Sequence, residues 1–181
     1  WTQAFGPENQ GKSKVDGNVE ITPAALRAFA ITLPDGAVKG KGTGDIHIDL
    51  IRGAPPAYQL TSNLVGLTLA IPEVGWKKPA DAGGSLLVEG SFGAPAKIDA
   101  LEIKGAKLEA KGSVILKPDG SFDKAAFKQA TLSDWFKGDV TLSGRGKGKA
   151  VGIDISNATA DMRKANFGSS ASSGGDAPPL S

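Results

Sequence analysis

Asp45, His47 and Asp49 alternate along one short segment, so their side chains share one face of an extended strand. Two carboxylates flanking an imidazole form a set that can ligate a metal ion or act as a general base. His47 is the only histidine in the chain, and no second cluster accompanies it. Because an exposed strand face also needs a polar residue at every second position, the pattern favours a solvated surface, and we predict no metal site here.

Two glycine-rich runs offer a different chemical possibility, Gly40 to Gly44 and Gly144 to Gly148. Their backbone amides and basic side chains could hold a phosphate group. Neither run follows the order of strand, Gly-Lys-Ser/Thr loop and helix that a nucleotide site requires. Glycine within strands is more typical of bulges and sheet curvature, so we predict no bound cofactor.

Covalent catalysis has little support in the sequence. The chain has no cysteine and no Gly-x-Ser-x-Gly nucleophile elbow, so a serine hydrolase would depend on His47 alone. The 21 basic and 19 acidic residues are intermixed, which leaves a net charge of +2 and no basic stripe for a row of phosphates. We therefore expect neither an enzyme nor a nucleic-acid-binding protein.

The elements that carry these residues are predicted to be mainly strands. Between Lys107 and Lys117, apolar residues such as Leu108 and Val114 alternate with charged residues, which is the pattern of a half-buried strand. Segments separated by Gly and Pro predict a meander of antiparallel strands at Gly17 to Ile21, Ala37 to Ile51, Tyr58 to Ala70, Ser85 to Phe92, Lys97 to Lys104, Lys107 to Lys117, Ser121 to Leu132, Gly138 to Arg145 and Lys149 to Ala160.

Two segments depart from the strand pattern. Thr22 is a good N-cap and Pro23 a good first helical residue, which predicts one short helix near residues 23–30. Ile71 to Gly84 is rich in Pro and Gly and predicts an irregular connection, in which Trp76 anchors the chain to the sheet.

Composition predicts one domain with a thin core. Only 6% of the 181 residues are aromatic and 25 are glycine, so the sheet is expected to be thin, curved or incompletely covered. We divide the chain into a flexible N-terminal segment at residues 1–14, a single β domain at residues 15–167, and a Ser/Gly/Pro-rich linker or tail at residues 168–181.

The apolar residues at alternate strand positions have two possible uses. They can form the closed core of a β-sandwich or barrel, or they can line an open groove for acyl chains. The candidate lining residues are Ile46, Ile48, Leu50, Leu67, Leu69, Leu86, Val88, Leu101, Ile103, Leu108, Val114, Leu116, Val140, Leu142, Ile153 and Ile155.

Most of the chain from Thr22 to Phe167 resembles a known family. The resemblance rests on the order of three stretches, Leu60 to Gly93, Gly112 to Phe127 and Phe136 to Phe167. Its most particular elements are Gly75-Trp76-Lys77, within Pro72 to Pro79, and the closing Asp161-Met162-Arg163. In these elements the chain resembles the AsmA-like repeat region of large bacterial envelope proteins of the YhdP and TamB type.

The resemblance implies a curved antiparallel meander sheet that forms an open, apolar-lined groove, like a β-taco, within one AsmA-like domain. It implies a segment of a periplasm-spanning protein in the cell envelope of a Gram-negative bacterium, with the parent chain anchored in the inner membrane. The implied partners are phospholipid or another acyl-chain lipid and, through the parent protein, the inner and outer membranes. The implied function is lipid transport for outer membrane biogenesis, without catalysis.

Two other interpretations of the sequence stay open. One is a structural or interaction module of the cell envelope, a β-sandwich whose apolar face packs only against itself. The other is an envelope hydrolase that relies on His47, and it ranks last.

Overall fold

The computed structural model describes residues 2–3, 12–28, 36–71, 75–93, 96–119, 121–146, 151–161 and 163. Several predictions fall partly or wholly outside these residues, among them the tail at residues 168–181, most of the N-terminal segment, the end of the helix at residues 29–30 and the start of the strand predicted from Lys149. Within the described residues, the protein is mainly β, as predicted, with one short helix.

The described part of the chain forms thirteen strands and one helix. In chain order these are β1 (Thr2–Gln3), β2 (Lys12–Ile21), α1 (Pro23–Ala28), β3 (Val38–Gly40), β4 (Gly42–Ile51), β5 (Ala57–Ser62), β6 (Leu67–Ile71), β7 (Trp76–Lys78), β8 (Gly84–Ser91), β9 (Lys97–Gly105), β10 (Leu108–Leu116), β11 (Phe122–Leu132), β12 (Phe136–Ser143) and β13 (Gly152–Ala160).

Nine strands of six to eleven residues form one large antiparallel sheet, in the order β2-β4-β5-β8-β9-β10-β11-β12-β13. The two-residue β1 pairs with the outer side of β2. From β8 to β13 each strand pairs with the next one along the chain, which is the predicted meander. The sheet is open, because β13 forms one edge and β1 with β2 forms the other.

A second, small sheet has the order β3-β6-β7. In the chain, β3 lies between β2 and β4, and β6 and β7 lie between β5 and β8. The predictions of single strands at Ala37 to Ile51 and at Tyr58 to Ala70 are therefore wrong, because each segment contributes one strand to each sheet. The irregular connection predicted at Ile71 to Gly84 is also wrong in part, since it contains β7.

Two glycines explain where these segments break. Gly40 and Gly66 have φ angles of 89° and 86°, a left-handed conformation that glycine adopts readily. A side chain on Gly40 would collide with the carbonyl of Gly66, and one on Gly66 would collide with the carbonyl of Lys41. The chain therefore crosses between the sheets at a point where both backbones approach closely.

The helix and the first long strand follow local rules. The Thr22 hydroxyl accepts a hydrogen bond from the backbone N–H of Ala25 at 3.1 Å, and α1 begins at Pro23, which confirms the predicted cap. β2 begins at Lys12, earlier than the strand predicted from Gly17. Ser13 and Gly17 occupy positions on its apolar side. Because neither has an apolar side chain, the alternation typical of a strand is not visible in the sequence there.

The small sheet packs across one end of the large sheet and forms the buried core. The core cluster comprises Ile21, Leu64, Leu67, Leu69, Trp76 and Leu132. The glycines of the first glycine-rich run lie beneath it: a Cβ on Gly42 would lie 2.8 Å from Cγ of Leu67, and one on Gly44 would lie 2.9 Å from Cδ1 of Leu60. Gly42 therefore allows the two sheets to approach, whereas Gly44 makes room for side chains of the large sheet itself. We call this end of the large sheet the capped end.

Candidate binding face

One face of the large sheet is apolar across all nine strands. Directly opposed residues of antiparallel strands point to the same face, so the registers define rows that cross the sheet. The middle row contains Gly17, Ile46, Leu60, Val88, Leu101, Gly112, Phe127, Val140 and Ile155. The outer row contains Val15, Ile48, Tyr58, Gly90, Ile98, Val114, Ala125, Leu142 and Ile153.

These two rows, which we call the open rows, are not covered by the small sheet. None of their large apolar side chains is buried, and none belongs to the core cluster or packs against it. Ile153 and Ile155 on the edge strand β13 are 43% and 55% exposed. With a strand spacing of about 4.8 Å, the open rows make an apolar strip roughly 40 Å long.

The structure divides the predicted lining residues into three groups. In or next to the open rows lie Ile46, Ile48, Leu50, Val88, Leu101, Val114, Leu116, Val140, Leu142, Ile153 and Ile155. Leu86, Ile103 and Leu108 share this face but pack against the core cluster. Leu67 and Leu69 belong to the small sheet and are buried, so they do not line the open strip.

Sequence reasoning missed several residues of the open rows, of which Ile98 and Phe127 are examples. Ile98 and Leu101 share a face although they are three residues apart, because a bulge in β9 adds one residue between them. Phe127 and Ala130 likewise share a face although they are three residues apart, because a bulge in β11 adds one residue between them. Gln129 in this bulge has a φ angle of 49°. A search that allows one extra residue in the alternation would have found them.

The capped end is fixed by a buried lysine that the sequence did not single out. Lys78 has no exposed surface, and its ammonium donates to the carbonyls of Leu64 at 2.7 Å, Leu67 at 2.9 Å and Pro79 at 3.1 Å. Burial lowers the pKa of Lys78, and the charge of Asp81 opposes that effect. Its three donors are all satisfied, so Lys78 joins β7 to the turn before β6.

Trp76 joins the same small sheet to the large one. Its indole Nε1 donates to the carbonyl of Ala106 at 2.9 Å, and the side chain is buried in the core cluster. This is the anchoring role predicted for it. Ala106 and Lys107 form the turn between β9 and β10 and both have positive φ angles, so the contact supports a turn that lacks the usual glycine.

The opposite face of the large sheet is polar and solvated. Cross-strand ion pairs on it include Lys111 with Glu102, Lys104 with Glu109 at 3.3 Å, and Lys14 with Asp49 at 3.7 Å. Asp45, His47 and Asp49 lie on this face, as predicted for a solvated strand surface. The second glycine-rich run is described only to Gly146, and its remaining residues lie outside the described part.

His47 contacts only one of the two carboxylates that flank it in the sequence, and its shorter contact is to a neighbouring strand. Its Nδ1 lies 2.5 Å from Oδ1 of Asp16 on β2, and its Nε2 lies 3.4 Å from Oδ1 of Asp49. Asp45 instead accepts a hydrogen bond from Asn18. Within the described residues, no three His, Asp or Glu side chains are arranged to hold a metal ion.

The hydrogen bond that His47 donates to Asp16, followed by the charges of Asp16 and Asp49, raises the pKa of His47 above its ordinary value of 6.5. A histidine whose pKa is raised by folding stabilises the protein below pH 6.5, and this contribution is lost as the pH rises through the higher folded value. We predict that Asp16→Asn lowers the pKa of His47. A proton NMR titration of this single histidine measures it directly.

Asp45→Asn is the matched control for that titration, since Asp45 is on the same face but bonds to Asn18. We expect it to change the pKa of His47 less than Asp16→Asn does. An unchanged titration in the Asp16→Asn protein would show that the pair does not form in solution.

Comparison of the chain with protein-family models, with curated proteins and with solved structures finds no match. No helix in the described ranges is both long enough and apolar enough to cross a membrane. The candidate site therefore rests on the geometry of the open rows.

Proposed function

We propose that this chain is a segment of a lipid-transfer protein that shelters acyl chains against the open rows, without catalysis. Phospholipid or another acyl-chain lipid is the ligand. The observation that carries the proposal is the absence of any covering layer over the open rows within the described residues, combined with exposed isoleucines at Ile153 and Ile155. Monomeric proteins seldom leave an apolar strip of this length in water.

The energetics favour an acyl chain as the covering group. Each methylene transferred from water to an apolar surface contributes about 0.8 kcal/mol, so a chain lying along the strip is held without any polar contact. Glycine and alanine in the open rows, such as Gly112 and Ala125, leave low points between larger side chains. A flexible chain can follow such a surface more easily than a rigid ligand can.

The two faces of the sheet would then have separate roles. The polar face, with its ion pairs and His47, stays in water, while the apolar face contacts lipid. A curved sheet would turn the open rows into a groove with the small sheet as one wall. The bulges in β9 and β11 increase local twist and bending and so support this curvature.

The resemblance to the AsmA-like repeat region supports the same proposal and gives it a setting. We propose that the chain is an AsmA-like β domain of a longer periplasmic protein in a Gram-negative cell envelope. That parent protein would be anchored in the inner membrane and would carry lipid between the inner and outer membranes.

The second candidate function is an interaction module of the cell envelope. It is favoured by the capped end, which packs as an ordinary β core, and by β13, whose residues from Ile153 to Ala160 are all exposed at the sheet edge. In that case a protein layer, and not a lipid, would cover the open rows.

A fluorescent fatty acid distinguishes the apolar face from the polar face. Ile155 and Ile115 are both 55% exposed, but Ile155 lies in the middle row and Ile115 lies opposite Lys124 on the polar face. We predict that Ile155→Glu weakens binding of the probe about tenfold, because the carboxylate must be buried beneath the chain. Ile115→Glu is the matched control and is expected to bind like the unmodified protein. Equal affinities for all three proteins would contradict the proposal.

A further inference from the structure

The end of the large sheet opposite the capped end carries a row of basic residues, which we call the open rim. Lys12 begins β2, Arg52 follows β4, Lys97 begins β9, Lys117 follows β10, and Arg145 lies just beyond β12. At least one cation therefore occurs at the outer end of β2 and at each later connection along this rim. Since connected strands lie side by side, successive connections along this rim are two strand spacings, roughly 10 Å, apart.

The cations of the open rim are available to a partner. None of the five forms an ion pair with a described residue. Four of the five are exposed and Lys117 is half-buried. Asp119 lies two residues after Lys117 and interacts with its charge, but its carboxylate accepts hydrogen bonds from the backbone N–H and hydroxyl of Ser121.

Apolar side chains are exposed at the same rim. Ile51 ends β4 and is 48% exposed, and Phe92 follows β8 and is 36% exposed. Phe92 stacks on Tyr58 of the outer row with ring centroids 4.5 Å apart, and the Tyr58 hydroxyl donates to the carbonyl of Lys97 at 3.3 Å. An aromatic pair with a polar tip therefore lies beside the backbone of Lys97.

We infer that the open rim docks on the surface of an anionic phospholipid bilayer. Basic side chains are attracted to the negative surface potential of such a bilayer, and aromatic and aliphatic side chains enter its interfacial region. The rim supplies both along one end of the large sheet. This inference stands on the rim residues alone and does not require that the open rows carry lipid.

A single-stranded nucleic acid is the competing partner, since cations and aromatic rings also bind it. The aliphatic component of the rim favours the bilayer. Ile51 offers no face for a base to stack on, and the isoleucines of β13 begin at the same end of the sheet. The test therefore includes an oligonucleotide.

Binding to vesicles of one quarter phosphatidylglycerol and three quarters phosphatidylcholine tests the docking. Each basic residue near the bilayer surface strengthens binding roughly fivefold. The double variant Arg52→Gln with Lys97→Gln is therefore expected to weaken binding about thirtyfold. Lys39→Gln with Lys77→Gln is the matched control, because both lysines are exposed, unpaired with described residues and located in the small sheet. Vesicles of phosphatidylcholine alone are expected to bind weakly.

Three results would overturn the inference: no binding of the unmodified protein to the anionic vesicles, equal loss in both double variants, or tighter binding to a single-stranded oligonucleotide than to the vesicles. Thermal unfolding of each variant checks that it folds.

A second measurement locates the contact. Because the chain has no cysteine, Ala54→Cys at the rim and Val65→Cys at the capped end each accept one environment-sensitive dye. A blue shift on anionic vesicles is expected at position 54 only, and a shift at position 65 alone would place the contact at the wrong end.

Discussion

Replacement of Lys78 by methionine is expected to lower the free energy of unfolding by about 3 kcal/mol, measured by urea denaturation. Methionine has a similar length but donates no hydrogen bond. The carbonyls of Leu64, Leu67 and Pro79 would then lose the ammonium that now binds them, and those of Leu64 and Pro79 would keep only long backbone hydrogen bonds of 3.4 and 3.3 Å. Each lost hydrogen bond to the charged ammonium contributes about 1 kcal/mol or more to the expected loss.

Lys77→Met is the matched control. Lys77 is the preceding residue of β7, and its side chain is exposed where that of Lys78 is fully buried. We expect the control to change the free energy of unfolding by less than about 0.5 kcal/mol. If both variants lost the same stability, the loss would come from the lysine charge in general and not from the three buried hydrogen bonds.

Leu67→Ala is the second variant with a large expected effect. Leu67 is 1% exposed, lies in the core cluster between the two sheets and sits directly above Gly42. Truncation leaves a cavity that the backbone of β4 cannot fill, so we expect a loss of about 3 kcal/mol in the free energy of unfolding. Hydrogen exchange should also increase in β3, β6 and β7, because the small sheet loses the side chain that seats it.

Val65→Ala provides the comparison for Leu67→Ala. Val65 lies two residues earlier in the chain but is 47% exposed, so its truncation should cost well under 1 kcal/mol. A stability loss in Leu67→Ala no larger than in Val65→Ala would mean that the small sheet does not cover the capped end in solution.

The sequence predicts the meander well because most of its strands keep a strict alternation. β10 is the clearest case, since Leu108, Ala110 and Val114 face one side without interruption. β9 and β11 were also predicted as strands, but their bulges shift the alternation and conceal Ile98 and Phe127. Local periodicity identifies a strand, whereas its register against a neighbour decides which side chains share a face.

The small sheet could not be predicted from local pattern. Leu67 and Leu69 alternate with polar residues just as the residues of the open rows do. Nothing in that alternation reveals that their strand leaves the large sheet, because the break depends on close backbone approach at Gly40 and Gly66. The structure is therefore needed to show that the small sheet covers one end of the apolar face.

Polar partners across strands were equally hidden. Lysine is usually exposed, so a fully buried Lys78 has no sequence signal of its own. The pairing of His47 with Asp16 joins residues on β2 and β4 and depends on their register. The predicted solvated face was found, yet the particular contacts on it required the fold.

Mass spectrometry of lipid extracted from the purified protein tests the central proposal most directly, with Ile115→Glu and Ile155→Glu prepared in parallel. We predict that phospholipid or another acyl-chain lipid accompanies the unmodified protein and Ile115→Glu, and that its amount falls in Ile155→Glu. A folded protein that carries no acyl-chain lipid, or the same amount in all three samples, would contradict the proposal that the open rows shelter acyl chains.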